Sequence, residues 1–210
     1  MAPTEHSLTT TDRPYLSHPF LALVILNFVV FQLVNFSPAW TLNGGESIEL
    51  EQGAHILQTN TAIMALVPGV FSLPIIQQPQ DKSIFVANRL GQLTQFHLAS
   101  QNGVTGLLAH NYLSGKDFYE LDIGQEVRVL YADHHVGRYQ VTSIHRFQKL
   151  QPKKLYSDFL DLETHERLTT SQVFDQFYRG EPHVTFQTCL EGDGRLDWGI
   201  LFIIASPFSE

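Results

Sequence analysis

From Ser83 onward the chain alternates short apolar runs with turn residues at the period of β-strands. SIFVAN (83–88), a turn at Gly91 and QLTQFHLA (92–99) predict a first hairpin. VTGLLAH (Val104 to His110) follows an Asn102-Gly103 turn. EVRVLY (Glu126 to Tyr131) and RYQVTSIH (Arg138 to His145) flank a turn over Asp133 to Gly137 and predict a second hairpin. The period then changes. LTTSQVFDQFYRG places Val173, Phe174 and Phe177 at helical spacing, with Thr170 or Ser171 as N-cap and Gly180 and Pro182 as the stop. HVTFQTC (His183 to Cys189) and the nearly unbroken apolar run GILFIIA (Gly199 to Ala205) read as two closing strands. The fold class this predicts is mainly β: a closed or nearly closed barrel of about seven to eight strands with one or two short helices.

Upstream the pattern differs. Residues Pro19 to Phe36, PFLALVILNFVVFQLVNF, carry no charge and few polar groups. As a helix they reach roughly 27 Å, close to the thickness of a bilayer core. The expectation is a transmembrane anchor, with a cleaved signal peptide ending near Ser37-Pro38-Ala39 as the alternative. Arg13 precedes this segment and Glu46, Glu49 and Glu51 follow it, which favours an outward-facing domain on a single-pass membrane protein. The expected organisation is a tail over 1–18, the anchor over 19–36, a linker and barrel-packing segment over 37–80, and the barrel over 81–210. Pro68, Pro74 and Pro79 make the third of these hard to assign beyond irregular structure and a strand or two.

Composition narrows the function. Among 210 residues, 43% are apolar and 16% charged, which suits a packed domain, and the net charge of −8 excludes a nucleic-acid partner. There is one cysteine, so no intrachain disulfide and no Cys-rich zinc site can form. In an exported domain an unpaired thiol is an oxidation liability unless it has a chemical duty.

Alternation in HVTFQTC sets Val184, Phe186 and Thr188 on one face and Thr185, Gln187 and Cys189 on the other, so Cys189 is expected on the more polar face at the strand's end. A lone cysteine is ordinarily an inert small hydrophobe. A nucleophilic one needs a base or cation beside it. Of ten histidines, His6 and His18 precede the apolar segment, and His134 and His135 fall in a turn as a solvated pair. His110 closes an apolar strand and opens the polar loop NYLSGKDF, from which its ring can face a cleft.

GLLAHN, then FYELDIGQEVRVLYADHHVGRYQVTSI, then VTFQTC and a final apolar strand resemble the sortase family, over roughly Ile84 to Ala205. Leu121 to Val127 matches an L-x-x-G-x-x-V stretch, and Thr188-Cys189 matches the dipeptide that carries the nucleophile. The resemblance implies a membrane-held cysteine transpeptidase. Cys189 would attack a sorting-signal peptide to form a thioacyl enzyme, and His110 would shuttle the proton to the leaving amine and from the incoming one. Its partners would be that peptide or protein signal and an amine acceptor in the cell envelope or on another protein. No cofactor is called for. The family's third residue is an arginine that opens the last strand and donates to the oxyanion. In this chain that register falls on Ile200, and the nearby arginine is Arg195, in the loop after Cys189. Either Arg195 takes the duty from a shifted position, or the barrel is a weak or inactive binding module. The catalytic reading also requires a Cys189 that is not buried and unreactive.

Overall fold

The computed structural model describes residues 60–154 and 157–207. The apolar stretch 19–36 and its assignment as an anchor lie outside these residues. Among the described residues no helix is long and apolar enough to cross a membrane.

Ten strands are described: β1 (Ala62–Val67), β2 (Phe71–Gln77), β3 (Leu93–Gln95), β4 (Thr105–Leu108), β5 (Glu126–Tyr131), β6 (Val136–Lys149), β7 (Phe159–Asp161), β8 (Arg167–Leu168), β9 (Val184–Gly192) and β10 (Arg195–Pro207). Their order is β10-β9-β4-β3-β2-β1-β5-β6-β7-β8, and β10 also pairs with β6. That last pairing closes eight strands into a barrel, leaving β7 and β8 as an extension beyond β6. Neighbours run antiparallel except β2 with β3 and β4 with β9, which are parallel. The 14 residues of β6 make the closure possible. Along one edge β6 pairs first with β5 (136–140) and then with β7 (147–149), while its other edge pairs with β10.

Two apolar layers result from the alternation of side chains along the strands. All eight barrel strands contribute to the interior, which includes Ala65, Val129, Phe186 and Leu201. The outer layer lies beneath the helix α2 (Thr170–Tyr178), numbered after the single-turn helix α1 (His97–Gln101). There Phe147, Phe177 and Phe202 meet, with the rings of Phe177 and Phe202 stacked at 4.1 Å. Each such ring contributes about 1.5–3 kcal/mol by leaving water.

Several expectations need correction. Residues 83–88 form a turn at 83–84 followed by irregular chain rather than a strand, because side chains take over the bonding: Gln78 donates to the carbonyls of Ser83 and Phe85, and Thr94 Oγ1 accepts from the Ala87 amide. The stretch read as the second strand of that hairpin is a three-residue strand followed by α1. Segment 62–77, expected to pack over the barrel, supplies two of its strands around a three-residue turn at Pro68, Gly69 and Val70. Between β6 and α2, where the sequence pattern gave no strand, β7 and β8 form. The N-cap of α2 is Thr169, just before the expected Thr170 or Ser171, and it forms a capping box with Gln172 worth about 1 kcal/mol.

Candidate active site

Strands β4 and β9 run side by side in parallel, with Leu108 opposite Gln187. The Ala109 amide continues the ladder by donating to the Gln187 carbonyl. Two residues further along each chain come His110 and Cys189. Leu108 and Cys189 both belong to the outer apolar layer, so the alternation sets His110 and Cys189 on that same face, on neighbouring strands. The register therefore sets the sequence-predicted pair at corresponding positions of two adjacent chain segments. Adjacent strands lie about 4.8 Å apart.

The loop after His110 turns back sharply. The amides of Leu113 and Gly115 both donate to the His110 carbonyl, at 2.9 Å each. Gly115 is required there, since a Cβ would stand 2.3 Å from Thr188 Oγ1 and 2.7 Å from the carbonyl oxygens of Ala109 and His110. The His110 ring stacks on Tyr112 at 5.1 Å. Asn111 Nδ2 donates to the Leu196 carbonyl at 2.9 Å, tying the loop to the β9–β10 hairpin. A 3-10 helix over Ser114–Glu120 follows, and from it the Tyr119 hydroxyl donates to the Cys189 carbonyl. Sequence reading missed Asn111, Tyr112 and Tyr119. Their proximity to His110 in NYLSGKDFY was the available signal.

Cys189 departs from expectation in two ways. It lies inside β9, three residues before the strand's end, not at the end. Its face is also covered rather than polar: α2 sits over it, the Tyr178 hydroxyl donates to Gln187 Oε1, and Thr185 donates to the Phe177 carbonyl. The polar residues that made the face look solvated are hydrogen-bonded to the helix. Cys189 is only 4% exposed and His110 3%. Burial pushes the Cys189 thiol up to about 11; Lys149 acts against that shift and Asp197 adds to it. Burial likewise lowers the His110 pKa. At neutral pH the resting pair is thus a thiol beside a neutral imidazole.

Ile200 is the cross-strand partner of Cys189, so the arginine register does fall on an apolar residue. Arg195 begins β10 opposite Gly192, beyond a two-residue turn in which Asp193 and Gly194 both have positive φ. The strand then bulges between Arg195 and Gly199. Within the bulge, Asp197 pairs with Arg195 at 2.8 Å, and the Arg195 side chain is 36% exposed. It lines a surface groove with Gln151, Pro152, Lys153 and Lys154. Arg195 is thus half of an ion pair at the start of β10.

The most telling group is one the sequence reading passed over. Lys149, the last residue of β6, is 1% exposed, and its Nζ makes no hydrogen bond among the described residues. It interacts electrostatically with Cys189, Asp197 and Arg195. Burial lowers its pKa, with Arg195 acting in the same direction and Cys189 and Asp197 opposing. Among the described residues no group of three His, Cys, Asp or Glu side chains is placed to hold a metal ion.

No protein-family model matches this chain, and no curated protein does. Solved structures similar to it are sortases. Sortase C1 from Streptococcus suis is 13% identical with a TM-score of 0.49, over 90% of this chain and 95% of that one. Sortase A from Listeria monocytogenes is 12% identical with a TM-score of 0.45, over 71% and 88%. Sortase C from Clostridium perfringens, solved with the C-terminal cell wall sorting motif, is 12% identical with a TM-score of 0.46, over 88% and 98%. Likeness of this degree leaves the chemistry to be argued from the chain's own residues.

Proposed function

We propose that this chain is a sortase-like cysteine transpeptidase, anchored to the cell membrane by residues 19–36 with its barrel outside. Cys189 attacks the carbonyl of a sorting-signal peptide, and the thioacyl group passes to an amine. The observation that supports this reading is the parallel β4–β9 register, in which His110 and the chain's one thiol each lie two residues beyond the paired Leu108 and Gln187. A neutral imidazole is the form that can take the thiol proton as sulfur attacks, and it then returns that proton to the leaving amine. The requirement for a base is strong here, because a thiol near 11 holds only about one part in 10⁴ as thiolate at pH 7.

The test is intact-protein mass spectrometry of the full-length chain incubated with pooled synthetic peptides, with and without triglycine as acceptor. A peptide mass retained on Cys189, lost in Cys189→Ala and discharged by triglycine, is the expected result. Discharge by water alone would identify a hydrolase instead.

Two observations favour a second reading, a sortase-like barrel that binds an extracellular peptide without processing it. They are Ile200 in the arginine register and the burial of Cys189. Peptide retained by the protein with no covalent adduct, and equally by Cys189→Ala, would establish it and end the first.

A further inference from the structure

Outside Cys189 and His110, one buried charge among the described residues lacks an evident structural use. Lys149 is enclosed at the end of β6, its Nζ unpaired among the described residues. An ammonium is rarely buried without a partner, since desolvation alone costs several kcal/mol. The ladder shows what it faces. Phe147, Ile200 and Cys189 stand in one cross-strand row over β6, β10 and β9. Lys149 is two residues beyond Phe147 and so shares their face, on the side of the β9–β10 turn. Gly199 lies between their rows in the ladder, opposite both Gln148 and Leu190, and points to the other face of the sheet. A Cβ at Gly199 would meet the Phe147 carbonyl at 2.3 Å.

We propose that Lys149, reaching in from β6, is the cation of the Cys189 site and stabilises negative charge first on the sulfur and then on the oxygen of the tetrahedral adduct. This rests on the transpeptidase reading above and supplies its missing charge from a different strand. Arg195 is the weaker claimant, because Asp197 already neutralises it at 2.8 Å. The charged groups around the Lys149 amine are Cys189 on β9 and Asp197 and Arg195 on β10. As the Cys189 proton moves to His110, a sulfur lone pair forms the S–C bond, and the carbonyl π pair moves to oxygen. Lys149 donates a hydrogen bond to that oxygen. Collapse of the adduct breaks the C–N bond, and the amine departs with the proton from His110. Attack by the acceptor amine then runs the same steps in reverse and restores the thiol.

The experiment reads the thiol itself, so it does not depend on finding the peptide. Iodoacetamide alkylation of Cys189 in the full-length chain is followed against pH. Lys149→Met is expected to slow alkylation at pH 7 about tenfold or more, a rise of at least one unit in the thiol pKa. Lys149→Arg is expected to keep most of the rate. Removing the neighbouring pair together, in Arg195→Gln with Asp197→Asn, is expected to speed it modestly, because Asp197 raises the thiol pKa. An unchanged rate in folded Lys149→Met, or a larger effect from the double variant, would overturn the proposal. Should Lys149→Met not fold, the Lys149 ammonium is titrated by NMR in lysine-labelled protein carrying Cys189 or Cys189→Ser. A lower Lys149 pKa in the serine variant is expected, and identical titrations would reject the coupling. A shifted thiol in a protein that forms no peptide adduct would retain the Lys149 assignment while dismissing transpeptidation.

Discussion

Ile200 and Cys189 face each other across the β9–β10 ladder, each on the outer face of the barrel. A residue opposite Cys189 is placed to govern its charge, and here it is an aliphatic side chain packed with Phe147 and Phe202. The site is therefore apolar on one flank of the sulfur and electrostatic on the other, where Lys149 and Asp197 lie.

Ile200→Arg tests that division. Inserting a guanidinium into this apolar layer, close to Lys149, should destabilise the fold by about 3 kcal/mol or more. In the folded fraction it should also speed alkylation of Cys189 at neutral pH. Thermal unfolding and alkylation rates on one sample read both effects.

His110→Ala should reduce labelling of Cys189 by thiol-reactive probes at pH 7 by about tenfold to a hundredfold, in the range of a lost general base. The difference should shrink as the pH approaches 11, where the thiol ionises without help. A rate ratio that stayed constant with pH would argue against proton transfer to His110.

The thiol also marks the stability curve. Its pKa is near 9 when unfolded and about 11 when folded. Between those values the unfolded chain has lost a proton that the native chain keeps, so stability present below pH 9 is lost as pH rises through 11. The wild type should lose about 2–3 kcal/mol more than Cys189→Ala across that window. His110 has the opposite sign. With its folded pKa lowered, it costs stability as pH falls below 6.5. Urea unfolding at stepped pH separates the two.

Gly115→Ala should cost about 1–3 kcal/mol by overpacking, because the methyl meets Thr188 and two carbonyls at contact distances no side chain can relieve. It should also weaken Cys189 labelling by displacing the loop that follows His110. Tyr178→Phe serves as the counterpart. It leaves Gln187 Oε1 without its buried donor, at about 1–3 kcal/mol, and should leave the rate of labelling unchanged.

Much of this was legible in the chain. EVRVLY and GILFIIA are strands because their apolar periodicity is driven by burial, which the sequence encodes directly. HVTFQTC was legible as a strand but not as a covered one. Gln187 and Thr185 look solvent-facing until the Tyr178 hydroxyl and the Phe177 carbonyl arrive from a helix that pattern alone cannot dock. The failed hairpin at 83–88 has a similar origin, since Gln78 and Thr94 bond to backbone that would otherwise seek a ladder. Cys189 could be named as the one thiol, and His110 from the end of its apolar run, both with the help of a resemblance. Lys149 could not. Its importance comes from pairing across two strands far apart in the chain, which no local spacing records.

The Asn111 amide gives the site an unexpected mechanical property. It joins the loop that holds His110 to the hairpin that carries Cys189 through a bond to Leu196. His110 and Cys189 are thereby tied through a second route besides the β4–β9 ladder. Any opening that admits a peptide to the sulfur must either carry both residues along or break that amide contact. Slow hydrogen exchange at Gly115, whose amide is bonded to the His110 carbonyl, would rise and fall with it and so report how often the gate is ajar.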